Sequence, residues 1–223
     1  MIIKQLYLKN FRGYSEITIP FDDSFNLIIG KNDIGKSTIL EALEIFFNSQ
    51  IVSMEINDIN VNHTDNEVVI GVTLDADPDM EIVLDETHTT TLRKESLLNA
   101  DGYLEIRKIW DFSGKTLTSK SLSTYLYANY FEDYHSKPLL LQKIAELKKM
   151  CKDAGLYERV SDARVCADYR EVLHDALQNK EKKMTMIRLD SEDAKKVYEK
   201  INSTLPYFAL FVSSHFRPSC IPL

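Results

Sequence analysis

The sequence predicts an α/β fold: a mixed sheet with antiparallel hairpins around a central strand that feeds a glycine-framed loop and a helix, followed by a helical insertion. Three observations predict it. The run "FNLIIG", residues 25–30, is almost wholly apolar, as a strand covered on both faces must be. Soon after it, Ile39, Leu40, Leu43, Phe46 and Phe47 recur at helical spacing, with Ile45 on the flank and Glu41 and Glu44 facing the other way. Residues 2–9 and 15–19 alternate as strands do around "NFRGY", where Gly13 marks a turn.

The remaining elements follow in order. Residues 67–86 read as a second hairpin, "EVVIGVTLDA" and "MEIVLDE" around "DPD", with Pro78 at the second position of a type I turn. A third strand, "YLEIRKIWDF", spans about 103–112. Beyond it, residues 138–153, about 164–183 and 190–203 read as helices, with Pro138 at a start and Gly155 at an end. "PYFALFV" is a short apolar strand, and "SSHFRPSCIPL" has no periodicity. The expected division is a first lobe at 1–112, a helical insertion at 113–205, and the start of a further core strand with an irregular tail at 206–223.

Composition sets the bounds. Hydrophobic residues at 44% and charged residues at 27% of 223 positions are globular values. A net charge of -7 gives no overall electrostatic footprint for nucleic acid, although a local basic face stays compatible with it. Cys151, Cys166 and Cys220 form no CxxC pair, so isolated thiols are expected rather than a metal site. The N-terminus lacks a signal-type core and no apolar run reaches membrane length, so a soluble, cytoplasmic protein is expected.

Gly30-Lys31-Asn32-Asp33-Ile34-Gly35-Lys36-Ser37 fits G-x-x-x-x-G-K-[ST], with Thr38 next. A chain wrapping a triphosphate must turn backbone N–H groups inward, which requires tight turns and hence glycine at both ends. Lys36 supplies positive charge to the phosphates, Ser37 offers its hydroxyl to Mg2+, and the helix beginning nearby points its positive end at the same anion. Asn32 and Asp33 shape the loop, since their side chains favour turn conformations.

"LKNFRGY" and "NLIIGKNDIGKSTILEAL", in the order strand, turn, strand, strand, loop, helix, resemble the ABC-type ATPases of the RecF/SMC group, and most of all the OLD-family ATPases of bacterial anti-phage systems. The positions carrying the likeness are Asn10, Phe11, Arg12, Gly30, Asn32, Gly35, Lys36 and Ser37. The resemblance covers about the first 50 residues well and the strands up to 112 in pattern only. It implies ATP and Mg2+ as cofactors held by residues 30–38, paired ATPase heads (a homodimer or a complex), and a link to DNA metabolism or anti-phage defence. It also implies Arg12 near the phosphates, while the residues alone are equally served by a surface arginine beside a turn.

Hydrolysis in this class needs an acidic pair ending an apolar strand. "IVLDE" offers Asp85 and Glu86 as an imitation, but its setting is that of a hairpin end. "DFSG", residues 111–114, has switch-like spacing without a guanine-specific partner motif and reads as a turn. His63, His88, His135, His174 and His215 share no metal-ligand spacing, and "KEKKM" around Lys180 reads as a solvated helix end. No ABC signature stretch, acidic strand or nuclease domain is found, so no catalytic residue is assigned. A first lobe plus insertion, truncated or naturally short, is the expectation. A complete small P-loop kinase using Asp85 and Glu86, and a non-hydrolysing ATP-binding regulatory partner, are the alternatives.

Overall fold

The computed structural model describes residues 1–30, 35–85, 88–134, 136–190 and 194–210. Two consecutive strands, β1 (Ile2–Phe11) and β2 (Tyr14–Pro20), form the expected first hairpin. Helix α1 (Lys36–Phe47) follows, then β3 (Glu67–Asp75), β4 (Glu81–Asp85), β5 (His88–Thr91), β6 (Leu104–Asp111) and β7 (Leu122–Phe131). Two helices, α2 (Ile144–Asp153) and α3 (Cys166–Leu177), lead to β8 (Lys182–Arg188) and α4 (Lys195–Thr204). Six strands make one sheet in the order β2-β1-β3-β6-β7-β8, every neighbour antiparallel, while β4 and β5 pair as a separate ribbon.

The alternation read from the sequence sets the register. Leu6 and Leu8 on β1 face Val72 and Ile70 on β3, which in turn face Ile106 and Lys108 on β6. This inner face carries the core, together with Ile39, Ala42, Leu43, Ile45 and Phe46 of α1 and Ala194, Val197 and Ile201 around α4. A second, smaller cluster of Leu139, Leu147, Cys151, Tyr169 and Leu173 holds α2 and α3 together. No helix among the described residues is long and apolar enough to cross a membrane.

The α/β class, the antiparallel first hairpin and the helix from Lys36 are as the sequence predicts, but several details differ. The segment 25–30 joins no strand ladder, and Phe25, Leu27 and Ile29 are 73%, 68% and 81% exposed. Its apolar pattern asks for cover on both faces, yet β3 already has β1 and β6 as neighbours and among the described residues no strand flanks the segment. Next, β3 and β4 do not form a hairpin. The turn at Pro78 is present, with the Met80 amide donating to the Asp77 carbonyl at 3.1 Å, but it sends β4 out of the main sheet to pair with β5.

The third difference lies in the stretch expected to be helical from residue 113, which returns β7 and β8 to the main sheet; residues 182–188 form an edge strand rather than a helix end. Finally, on α1 Ile45 is fully buried, Leu40 is exposed and Glu44 is fully buried instead of facing away. Within the expected last strand, residues 206–210 join no strand ladder among the described residues, although Phe208 stacks on Phe47 with ring centroids 5.7 Å apart and its carbonyl accepts from Asn48 Nδ2 at 2.7 Å. Residues 211–223 lie outside the described residues.

Candidate functional site: a phosphate-type loop between a hairpin turn and a helix

The turn of the first hairpin is built from outside itself. Arg12, rather than Gly13, takes the left-handed backbone (φ 49), and Asn10 does so too (φ 53). Such conformations are costly for side-chain-bearing residues and need outside support. Residues 55–67 supply it. The Arg12 amide donates to the Asp58 carbonyl at 2.6 Å, and the Asn60 amide to the Asn10 carbonyl at 2.8 Å. The Asn10 side-chain amide donates to Asp65 Oδ1 at 2.9 Å and to the Glu67 carbonyl at 3.0 Å.

Arg12 Nε donates to Asp58 Oδ1 at 2.8 Å, and Nη1 pairs with Glu41, beyond the first turn of α1. Burial works against this charge, but the hydrogen bonds to Glu41 and Asp58 outweigh it and raise the guanidinium pKa. Arg12 therefore clamps the hairpin turn to the helix that follows the loop.

At the loop itself, Gly35 sits at the N-terminus of α1 with φ 84 and ψ 16. Among the described residues no side chain caps this end and its first turn holds no acid, which suits its amides to an anion. The Tyr14 hydroxyl donates to the Gly35 carbonyl at 3.3 Å. Lys36 Nζ donates to the Gly30 carbonyl at 2.6 Å and so ties the two framing glycines together. Ser37 is exposed and Thr38 buried. Lys31, Asn32, Asp33 and Ile34 lie outside the described residues.

The far end of α1 is fixed with equal care. Buried Glu44 accepts hydrogen bonds from Asn48 Nδ2 (2.9 Å) and from the amides of Gln50 (3.3 Å) and Ile51 (3.1 Å). Lys108 reaches from β6 to donate to the Phe46 carbonyl at 2.6 Å, at the negative end of the helix dipole. Burial brings the Lys108 amine down to about 8. Sequence reading passed over Lys108, yet its place was available: Leu104, Ile106 and Trp110 alternate inward, and Lys108 shares their parity.

The other sequence candidates are placed plainly. Asp85 ends β4 in register with His88 on antiparallel β5, and β4 pairs with no other strand among the described residues; Glu86 lies outside them. "DFSG" is a turn, with the Ser113 amide donating to Asp111 Oδ1 at 2.8 Å. His63 Nδ1 bonds to the Asp65 carbonyl oxygen at 2.8 Å. His174 is buried, its Nδ1 2.6 Å from the Lys94 carbonyl oxygen and its Nε2 3.5 Å from the Tyr130 hydroxyl, and burial lowers its pKa. His135, His215 and Cys220 lie outside the described residues. Among the described residues no group of three His, Cys, Asp or Glu side chains could hold a metal ion.

Residues 1–220 match the family model described as an AAA ATPase domain. The chain belongs to that family. This AAA ATPase domain is 37% identical over 79 residues to the DNA double-strand break repair Rad50 ATPase of Archaeoglobus fulgidus, a stretch that is 34% of this chain and 9% of that protein. It is 36% identical over 110 residues to the DNA replication and repair protein RecF of Francisella tularensis subsp. novicida, 48% of this chain and 29% of the relative. Among solved structures it is similar to an SMC ATPase chain at 18% identity, with a TM-score of 0.36 and cover of 56% of this chain and 68% of the other. An SMC head bound to the C-winged helix domain of ScpA gives 18% identity, a TM-score of 0.37, and 56% and 35% cover. The AAA ATPase family and the partial similarity to Rad50 and RecF agree with the resemblance carried by "NFRGY" and the loop motif, and the chain spans less than a third of the length of either relative.

Proposed function

We propose that the chain is the first lobe of a RecF/Rad50-like ATPase head of OLD type, binding ATP with Mg2+ at residues 30–38 and serving DNA repair or anti-phage defence. The observation that carries this reading is the uncapped N-terminus of α1, opened by a left-handed Gly35 and flanked by Lys36 and an exposed Ser37. Those groups suit a magnesium-bound triphosphate: helix amides and Lys36 for the phosphates, the Ser37 hydroxyl for the metal. Mg2+ would supply charge neutralisation between the phosphates. Arg12, paired with Glu41 and Asp58, sets the position of the helix rather than touching the nucleotide in this arrangement.

In this reading residues 1–112 form the lobe, 113–205 an insertion that returns two strands to the lobe's sheet, and 206–223 lead toward a further core element. The exposed Phe25, Leu27 and Ile29 support a role for a second lobe, which would cover them and bring an acidic strand. Alone, the chain binds ATP in the cytoplasm and hydrolyses it slowly or not at all, because an open half-site cannot stabilise transition-state charge. Paired heads, with or without DNA, would complete the site. The kinase alternative requires Asp85 on a strand beside and parallel to residues 25–30, and β4 lies elsewhere.

The test is thermal unfolding with MgATP. The parent chain gains stability, about 2.7 kcal/mol at a hundredfold excess of ligand over Kd, and Lys36→Ala loses that gain. A Lys36→Ala variant stabilised like the parent removes the loop as the site.

A further inference from the structure

Two cavities, of 320 and 190 Å³, adjoin along three shared residues: Arg93, Ser96 and Lys182. They lie between the segment after β5, the end of β7, α3 and the start of β8, none of which contributes to the loop site. The charges around the larger cavity are mostly matched. Arg93 pairs with Asp79 at 2.9 Å, Lys94 with Glu171 at 2.7 Å, and Asp175 with Arg159 at 3.5 Å. His174, on its wall, has its pKa lowered by burial, against the opposing pull of its bond to the Lys94 carbonyl.

Lys182 is the exception. It begins edge strand β8 opposite Phe131, with Nζ 4.6 Å from that ring's centroid, and among the described residues no carboxylate pairs with it. Partial desolvation by its neighbours lowers its pKa, although the residue as a whole is exposed. The seam therefore has one positive charge in excess.

Hydrogen-bond donors collect at the same place. Both bonds from Arg93 to Asp79 use Nε and Nη2, which leaves Nη1 without a partner among the described residues. The Ser96 hydroxyl and the Asn129 side-chain amide are likewise without hydrogen-bond partners among the described residues, while the Asn129 backbone amide donates to the Leu98 carbonyl. Ser96 holds a left-handed backbone (φ 54), a conformation that serine seldom takes and that gathers at ligand sites. Three donors around one uncompensated cation suit a tetrahedral oxyanion.

We propose that the Arg93–Ser96–Lys182 seam binds a phosphate group, either of a small phosphate compound or of a polynucleotide backbone. The test uses the full chain in a Lys36→Ala background, so that the loop does not contribute. Titration with inorganic phosphate is followed by calorimetry and by the Asn129 side-chain amide resonance. Saturable binding is expected, weakened at least tenfold by adding Lys182→Ala and retained by Lys182→Arg; Lys182 is exposed, so the alanine variant keeps the fold. The same Asn129 shift in the parent chain, lost with Lys182→Ala, gives a second reading. A short DNA duplex then separates the sources. Displacement of phosphate by the duplex, with Lys182-dependent and salt-sensitive affinity, assigns the seam to a backbone phosphate, and its failure to displace assigns a small compound. Absence of saturable phosphate binding, or equal binding by the Lys182→Ala variant, overturns the proposal.

Discussion

The Tyr14 hydroxyl lies 3.3 Å from the carbonyl oxygen of Gly35 and 2.9 Å from the point a Gly35 Cβ would occupy. Glycine is therefore required there twice, once for the left-handed backbone and once for the close approach. Gly35→Ala should lose about 1–2 kcal/mol to the backbone, and more to the contact. Tyr14→Ala relieves only the second part, so a double-mutant cycle read by urea unfolding should show coupling of about 1 kcal/mol. Strictly additive losses would show that the tyrosine is no obstacle.

Arg12 allows its two roles to be separated. Arg12→Ala and Arg12→Gly both abolish the pairs with Glu41 and Asp58, but only glycine tolerates φ 49 without strain. The alanine variant should be less stable by about 1 kcal/mol. Equal midpoints and slopes in denaturant titrations would mean that the turn relaxes once its ion pairs are gone.

Lys108 predicts a pH dependence. Its amine goes from an ordinary 10.5 to about 8 on folding, so between those values the unfolded chain holds a proton that the native chain has released. Stability from this group is therefore lowest below pH 8 and rises from there to pH 10.5. Relative to the parent, Lys108→Met should be favoured below pH 8, and that advantage should shrink by on the order of 3 kcal/mol across the window. A stability difference that stays flat from pH 7 to 10.5 would contradict a buried, discharging amine.

The pair of Arg170 and Glu95 joins α3 to the segment after β5 through two hydrogen bonds of 2.8 and 3.0 Å, with side chains only 4% and 3% exposed. Removing either partner leaves the other charge buried, so Glu95→Ala or Arg170→Ala should each lose about 3–5 kcal/mol. Replacing both by apolar residues of similar size should recover most of the loss. Thermal unfolding of the three variants decides this, and single variants near the parent would show that water reaches the site.

The parts that were legible in the sequence are those set by local pattern. Alternation at residues 2–9 and 15–19 gave the first hairpin, and the apolar spacing after Lys36 gave the helix. Pairing partners were not legible, because local pattern cannot say which strand β4 meets. Its turn at Pro78 suits a hairpin, and only the three-dimensional ladder shows β3 already flanked by β1 and β6. Glu44 was misplaced for a related reason. A carboxylate on an apolar helix reads as solvent-facing until the chain beyond the helix turns back and donates the amides of Gln50 and Ile51. Arg12 carried no signal for its left-handed backbone, which depends on residues 55–67.

The pairing of Phe131 with Lys182 closes a loop that runs through residues 132–181. Closing so long an excursion is entropically uphill and slows any fold that must wait for it. The small cluster of Leu139, Leu147, Cys151, Tyr169 and Leu173 shortens the wait, because α2 and α3 can collapse on one another before β8 finds its place. The last strand of the sheet is then delivered by a prefolded clasp instead of a random search. The second core thus lowers the cost of closing the sheet's last pairing.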